Sequence, residues 1–440
     1  MQLSIKKKAI PKLTIGIIGM LFFIAEMLFG FQYDNLASLY TLFISVYLIW
    51  WSRNNSLMVI VFSILAYCNY CVTFSEYIII KEGTMFTMYA GSKAAVTGAF
   101  IMLLFWSVFI LTLPNQLPDF SFNGIKYFWI AEESNKWSVY AVLALNFIML
   151  IIWIFGFRRP TEFGERGSPS TYYEYSLILF ILCYYFGGEH KICRIVTILL
   201  SLMYVGQNFR YGGRITGIQV ILIFYIMCLQ EKVGLKKVIP FAFIGYIFLS
   251  IIGAYRGSWL NKEFSLSSFM NSLFSNMFVL DTSYSAYHTS LTFVLAKESQ
   301  ATLSVRLSIF FGFLKSIFFG KYGKPSNSVA HYTARYYHHY NGGFLPFFFY
   351  FFFGWLGVIL IAVILSFYIK KLSKLSVQSN GLSKCLLVYF IVSTFRWYIY
   401  APIQLTRGML LMAFFYFVLV ILINLVTNRT LGFKLKKNDT

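Results

Sequence analysis

The sequence predicts an all-α fold, a polytopic integral membrane bundle of about twelve transmembrane helices, with a large outer-face loop subdomain containing amphipathic helices. Three observations predict it. The chain of 440 residues is 58% hydrophobic and only 12% charged, about half the charged fraction of a soluble domain. Apolar runs of about 17 to 25 residues, the length that crosses a hydrocarbon core as a helix, recur along it. Trp, Tyr and Phe, together 20% of the chain, crowd the ends of many runs, as interfacial belts do.

The expected spans are Thr14–Phe31, Leu36–Trp51, Leu57–Ile80, Ala94–Leu113, Ser138–Phe157, Tyr172–Gly187, Ile192–Phe209, Ile215–Gln230 and Val238–Tyr255. After a long polar section come Phe344–Ile369, Cys385–Pro402 and Gly408–Thr427. This divides the chain into residues 1–255 (spans one to nine), 256–343 (an outer loop subdomain) and 344–440 (spans ten to twelve and an inner tail). Lys6, Lys7, Lys8 and Lys12 precede the first span with no small-residue cleavage site behind them, so the segment reads as an uncleaved start-transfer sequence. Placing it inside obeys the positive-inside bias. The same alternation returns Lys370, Lys371, Lys374, Lys434, Lys436 and Lys437 to that side.

This topology separates the two basic residue types. Of 24 lysines, 17 fall in or beside inner loops, whereas ten of 13 arginines (Arg158, Arg159, Arg166, Arg210, Arg214, Arg256, Arg306, Arg335, Arg396 and Arg407) fall on or near the outer side. Arginine's planar fork grips phosphate or carboxylate through two parallel hydrogen bonds, which lysine does not match. Its excess against the topological gradient points to an anionic ligand at the outer face. The net +21 charge says less, because lysines also anchor to anionic lipid.

The sharpest local signal is Gln207 to Gly217, Q-N-F-R-Y-G-G-R-I-T-G, where Arg210 and Arg214 flank a glycine turn between two apolar runs. Glycines let backbone amides approach a ligand and form anion-binding nests; the plain alternative is a basic turn held by lipid headgroups. Glu26, Glu76 and Arg396 fall inside or at the ends of spans, and pairing of a carboxylate with an outer arginine is the expected role. Cys68 and Cys71 form C-x-x-C within a span and read as packing residues. The six cysteines suggest neither a disulfide framework nor a metal site.

From Arg256 to Gly343 runs the longest extramembrane section, too long for a plain connector. Ser265 to Leu280 and Leu307 to Phe319 read as amphipathic or interfacial helices. Lys321 to Gly343 then collects Arg335, His331, His338, His339, Tyr332, Tyr336 and Tyr337. Aromatic faces stack on sugar rings while polar edges bond their hydroxyls, which makes Tyr332, Tyr336, Tyr337 and His338 the sugar-binding candidates; an interfacial tyrosine belt is the alternative.

The chain resembles the Wzy-type O-antigen, or oligosaccharide repeat-unit, polymerases of Gram-negative inner membranes. The resemblance rests on Y-G-G-R-I-T-G-I-Q-V, on A-Y-R-G-S-W at Arg256, and on G-G-F-L-P-F-F-F-Y-F-F-F-G-W-L-G-V entering a late span. It implies a metal-independent glycosyltransferase without cofactor, working at the periplasmic face. That enzyme moves a growing glycan from undecaprenyl diphosphate onto an incoming undecaprenyl-diphosphate-linked repeat unit. Membrane lipids and a chain-length regulator protein are the partners implied, with no nucleic acid. Arg210, Arg214 and Arg256 are then expected to hold the diphosphate, with Arg335 and Arg407 behind them. His331 is expected to act as general base, with Asp281 or His288 in reserve. Some relatives carry a carboxylate ahead of F-G-x-x-G; Leu345 to Phe353 has none, so no acidic base is expected there. An O-antigen ligase uses the same donor, and a flippase of lipid-linked oligosaccharide, the third reading, should show related halves.

Overall fold

A computed structural model describes residues 2–30, 34–74, 92–120, 136–158, 167–188, 190–211, 214–229, 282–320, 328–339, 342–375 and 380–438, with isolated residues between 244 and 270. These are helical almost throughout, apart from a two-residue antiparallel pairing of Phe157–Arg158 (β1) with Ser168–Pro169 (β2). The chain is a helical membrane protein: seven described helices are long and apolar enough to cross a bilayer. Eleven of the twelve expected runs overlap named helices, while most of Val238–Tyr255 and of Ser265 to Leu280 lies outside the described residues.

Packing sorts the chain into two compact units drawn from separated stretches, Met1–Ser121, Leu273–Val377 and Thr394–Thr406 in the first and Phe122–Ser272, Gln378–Ser393 and Arg407–Thr440 in the second. The division does not follow the expected boundaries at 255 and 343. The reason is visible in the first unit, where helices from the expected loop subdomain are built into the bundle.

In the first unit α4 (Lys93–Thr112) is the centre, buried on almost every side. It runs antiparallel to α1 (Gln2–Phe29), with Gly19 against Ser107 and Phe22 edge-on to Phe100. Lys12, read from sequence as one of the lysines before the first span, is 2% exposed and donates to the carbonyls of Leu113 and Pro114. A cation there satisfies orphan carbonyls at the negative end of α4. Next, α2 (Asp34–Trp51) and α3 (Ser56–Phe74) form an antiparallel pair latched by Asn69 Nδ2 donating to Ser45 Oγ at 2.9 Å. Such polar links replace the hydrophobic driving force that lipid removes.

Against these packs α9 (Thr282–Ser299), with Cys71 Sγ 3.5 Å from the Ser283 carbonyl and Gly98 beneath Tyr287 and Leu291. It is followed by α10 (Leu303–Phe319), which starts at Thr302, whose hydroxyl accepts from Val305 N, and by the short α11 (Val329–Thr333). The helix expected over Leu307 to Phe319 therefore begins earlier, at a capping residue.

The span expected over Phe344–Ile369 is two helices, α12 (Leu345–Phe353) and α13 (Trp355–Leu375). Gly354 has φ +64 and turns the chain. Gly357 then lies so close to the Phe349 carbonyl that no Cβ fits between them. A helix continued straight through 354 would hold residues 349 and 357 about 12 Å apart at 1.5 Å per residue. The short helix therefore folds back on the long one, and α13 alone has the length to span. At its other end, Gly342 and Gly343 (φ +115 and +147) carry the chain past Phe293, and Phe344 N donates to Ser290 Oγ.

The second unit contains α5 (Lys136–Phe155), α6 (Thr171–Phe186), α7 (Lys191–Arg210), α8 (Arg214–Phe224, continued by a π turn at Tyr225–Leu229), α14 (Gly381–Val392) and most of α16 (Ile403–Asn438). The span expected over Cys385–Pro402 is likewise broken, at Ser393, before α15 (Thr394–Ile399) of the first unit. Gln219 of α8 donates to the Val392 carbonyl at 3.1 Å, which supplies a partner for the helix end that the break exposes.

Candidate functional site

The Gln207 to Gly217 stretch is the turn between α7 and α8, and its surroundings follow from helix directions. Tyr204 bonds the Met149 carbonyl and Asn146 pairs with Thr197, so α5 and α7 run parallel. Tyr173 meets Gln207 while Tyr184 meets Ser201, so α6 is antiparallel to α7. Arg407 stands over the Tyr175 ring at 5.6 Å, and Tyr416 lies against Phe186 at 5.5 Å, so α16 runs parallel to α6. One end of this unit therefore gathers the close of α7, the start of α8, the start of α6 and Arg407. Arg210, Arg214 and Arg407, named from sequence as phosphate ligands, are brought to that end together.

Beneath them is a fixed platform. Tyr173 donates to Gln207 Oε1 at 3.0 Å and accepts from Asn208 Nδ2 at 2.9 Å, while Asn208 also donates to the Tyr204 carbonyl. The Tyr173 and Tyr204 rings stack at 4.6 Å, and Phe157 of β1 packs on both Tyr173 and Tyr211. Asn208 and Gln207 are buried, whereas Arg210 is exposed beside the Tyr211 ring and Arg214 is half-buried. Gly217 allows the Phe209 ring to lie over α8, where a Cβ would meet it at 2.6 Å. These bonds fix the last turn of α7, from which Arg210 projects. Sequence reading named the arginines and missed Gln207, Asn208, Tyr173 and Tyr175, because the partner tyrosines lie more than thirty residues away.

The aromatic passage belongs to the first unit, and it divides into anchors and surface groups. Tyr332 is 7% exposed, donates to the Gln300 carbonyl at 3.0 Å and packs on Phe351 and Tyr336. Tyr337 and Ser299 share a hydrogen bond of 2.7 Å, and His339 Nε2 lies 2.9 Å from Thr333 Oγ1. Of the four proposed sugar binders, Tyr332 is thus mainly a structural anchor, while Tyr336 and His338 remain exposed beside His331 and Arg335. His288, the reserve base, is a core residue 4% exposed between Tyr284 and Tyr287 rather than a group on an outer loop. Asp281, Arg256 and Glu76 lie outside the described residues; Arg396 sits in α15 with the Tyr400 ring 5.9 Å away. Among the described residues no group of three or more His, Cys, Asp or Glu could hold a metal ion.

No family model, no curated protein and no solved structure matches this chain.

Proposed function

We propose that this protein is a surface-polysaccharide polymerase of the O-antigen type, which transfers a growing glycan from undecaprenyl diphosphate to an incoming lipid-linked repeat unit at the outer face of the inner membrane. The observation that carries the reading is that Arg210, Arg214 and Arg407 share one end of the second unit, where hydrogen bonds hold the last turn of α7. In the reaction the C1–O bond to the diphosphate breaks as a C1–O bond to the acceptor hydroxyl forms. Charge grows on the leaving diphosphate, so guanidinium groups fixed in advance stabilise the transition state more than the ground state. The acceptor's proton passes to a general base; within the first unit, exposed His331 stands among Tyr336, His338 and Arg335, which offer stacking faces and donors to a sugar. Arg256 is kept as a further phosphate ligand.

The test is the lipopolysaccharide profile of a strain lacking the gene and of the same strain carrying Arg214→Gln, Arg407→Gln or His331→Ala. The expected deletion profile is core capped with a single repeat. Arg214→Gln and Arg407→Gln should each cut polymer formation about 100-fold, with protein level in the membrane unchanged. Loss of all capped core would instead place the missing step at ligation or flipping, and an unaltered ladder would sink the reading.

A further inference from the structure

A second basic cluster lies in the first unit, among residues given no role above. Lys297 occupies the last turn of α9 and Arg306 the first turn of α10. Between them, Gln300 N and Ala301 N both bond the Ala296 carbonyl, which draws the two helix ends together. Lys297 Nζ stands 4.4 Å from the centre of the Tyr350 ring, beside the Gly354 turn. Arg306 is near enough to act electrostatically on both Lys297 and Tyr350.

Negative charge is scarce around the pair among the described residues. Among the described residues neither cation makes an ion pair, and Arg306 Nε is buried without a hydrogen-bond acceptor. Glu298 is the one carboxylate felt by both Lys297 and Tyr350, and it is exposed. Burial and the Arg306 charge hold the Lys297 amine below its usual pKa, with Glu298 opposing. The negative end of α12 at Gly354 suits one cation, Lys297, and leaves the other. Arg306 also sits in the first turn of a helix, where the dipole disfavours positive charge. Two half-buried like charges this close repel one another unless an anion joins them.

We infer that Lys297, against the Tyr350 ring, and Arg306 form a binding site for a phosphate-class anion within the first unit. Ammonium and guanidinium together match a phosphate's oxygens, the guanidinium through paired N–H groups. The Ser299–Tyr337 and Gln300–Tyr332 hydrogen bonds hold the exposed aromatic passage to the same end of α9, so a sugar attached to the phosphate would meet Tyr336 and His338. Two sources carry this chemistry, the diphosphate of a lipid-linked saccharide and the headgroup phosphate of an anionic phospholipid. The inference stands whether or not the protein proves to be a polymerase.

The test is footprinting of Lys297 by an amine-acylating reagent at pH 9, where a lowered pKa makes it reactive, with full-length protein in nanodiscs and Lys315 of α10 as internal control. In phosphatidylcholine discs, inorganic diphosphate should slow Lys297 acylation at least fivefold and leave Lys315 unchanged. Arg306→Gln should abolish the protection and Arg306→Lys should keep part of it, which separates loss of the site from loss of the fold. Protection that needs phosphatidylglycerol and no added diphosphate would assign the site to a lipid headgroup. Lys297 labelling indifferent to both anions, or equal protection in wild type and Arg306→Gln, would overturn the proposal.

Discussion

At the residue scale, the platform under the arginine turn depends on one hydroxyl. Tyr173 Oη donates to Gln207 and accepts from Asn208 in a buried setting. Tyr173→Phe keeps the stacked ring and leaves Gln207 Oε1 without that donor. An unsatisfied buried acceptor costs about 1–3 kcal/mol, so the variant should unfold at lower temperature in detergent and show weaker polymer formation through a looser arginine turn. An unchanged melting temperature would show that water or another group takes over the bond. The arginines of this turn were legible in the sequence because spans deplete charge and any arginine at their edge stands out. Tyr173 and Gln207 were not, since a tyrosine in an apolar run has the same composition whether it supports a site or fills a core.

At the element scale, the glycines of F-G-W-L-G, Gly354 and Gly357, are required by packing. Gly354 holds φ +64, and Gly357 admits no Cβ against the Phe349 carbonyl. Gly357→Ala must push α12 away from α13, and since the obstacle is backbone it should cost about 3 kcal/mol or more. Gly206, inside α7, has nothing within 4 Å of an added Cβ. Gly206→Ala should therefore be neutral or gain up to about 1 kcal/mol from helix propensity. Comparing the two by thermal unfolding checks the helix break directly, and equal effects would refute it. Hydropathy predicted a single span over Phe344–Ile369 because both halves are apolar. It is blind to a turn whose cause is one dihedral angle and one carbonyl eight residues back.

At the scale of the whole molecule, apolar length alone does not decide which helices cross. The 16-residue α6 reaches about 24 Å at 1.5 Å per residue, short of a core of about 30 Å, yet alternation of the expected spans puts its two flanking turns on opposite sides. Cysteines placed at Arg158 and Lys191 in a variant lacking the native cysteines should react with an impermeant maleimide from opposite faces, as should cysteines at Arg335 and Lys374 across α13. Labelling of both members of a pair from one face would remove that crossing. The sequence by itself determined that this is a helical membrane protein, where most helices run, and that Arg210 and Arg214 share a turn, because hydropathy and charge are local sums over neighbouring residues. Only the tertiary structure decided that Lys12 closes α4, that His288 is core, that α12 folds back on α13, and that Lys297 lies against Tyr350. Each of these depends on a dihedral angle, or on a carbonyl, ring or charge brought close by packing, and hydropathy along the sequence records neither.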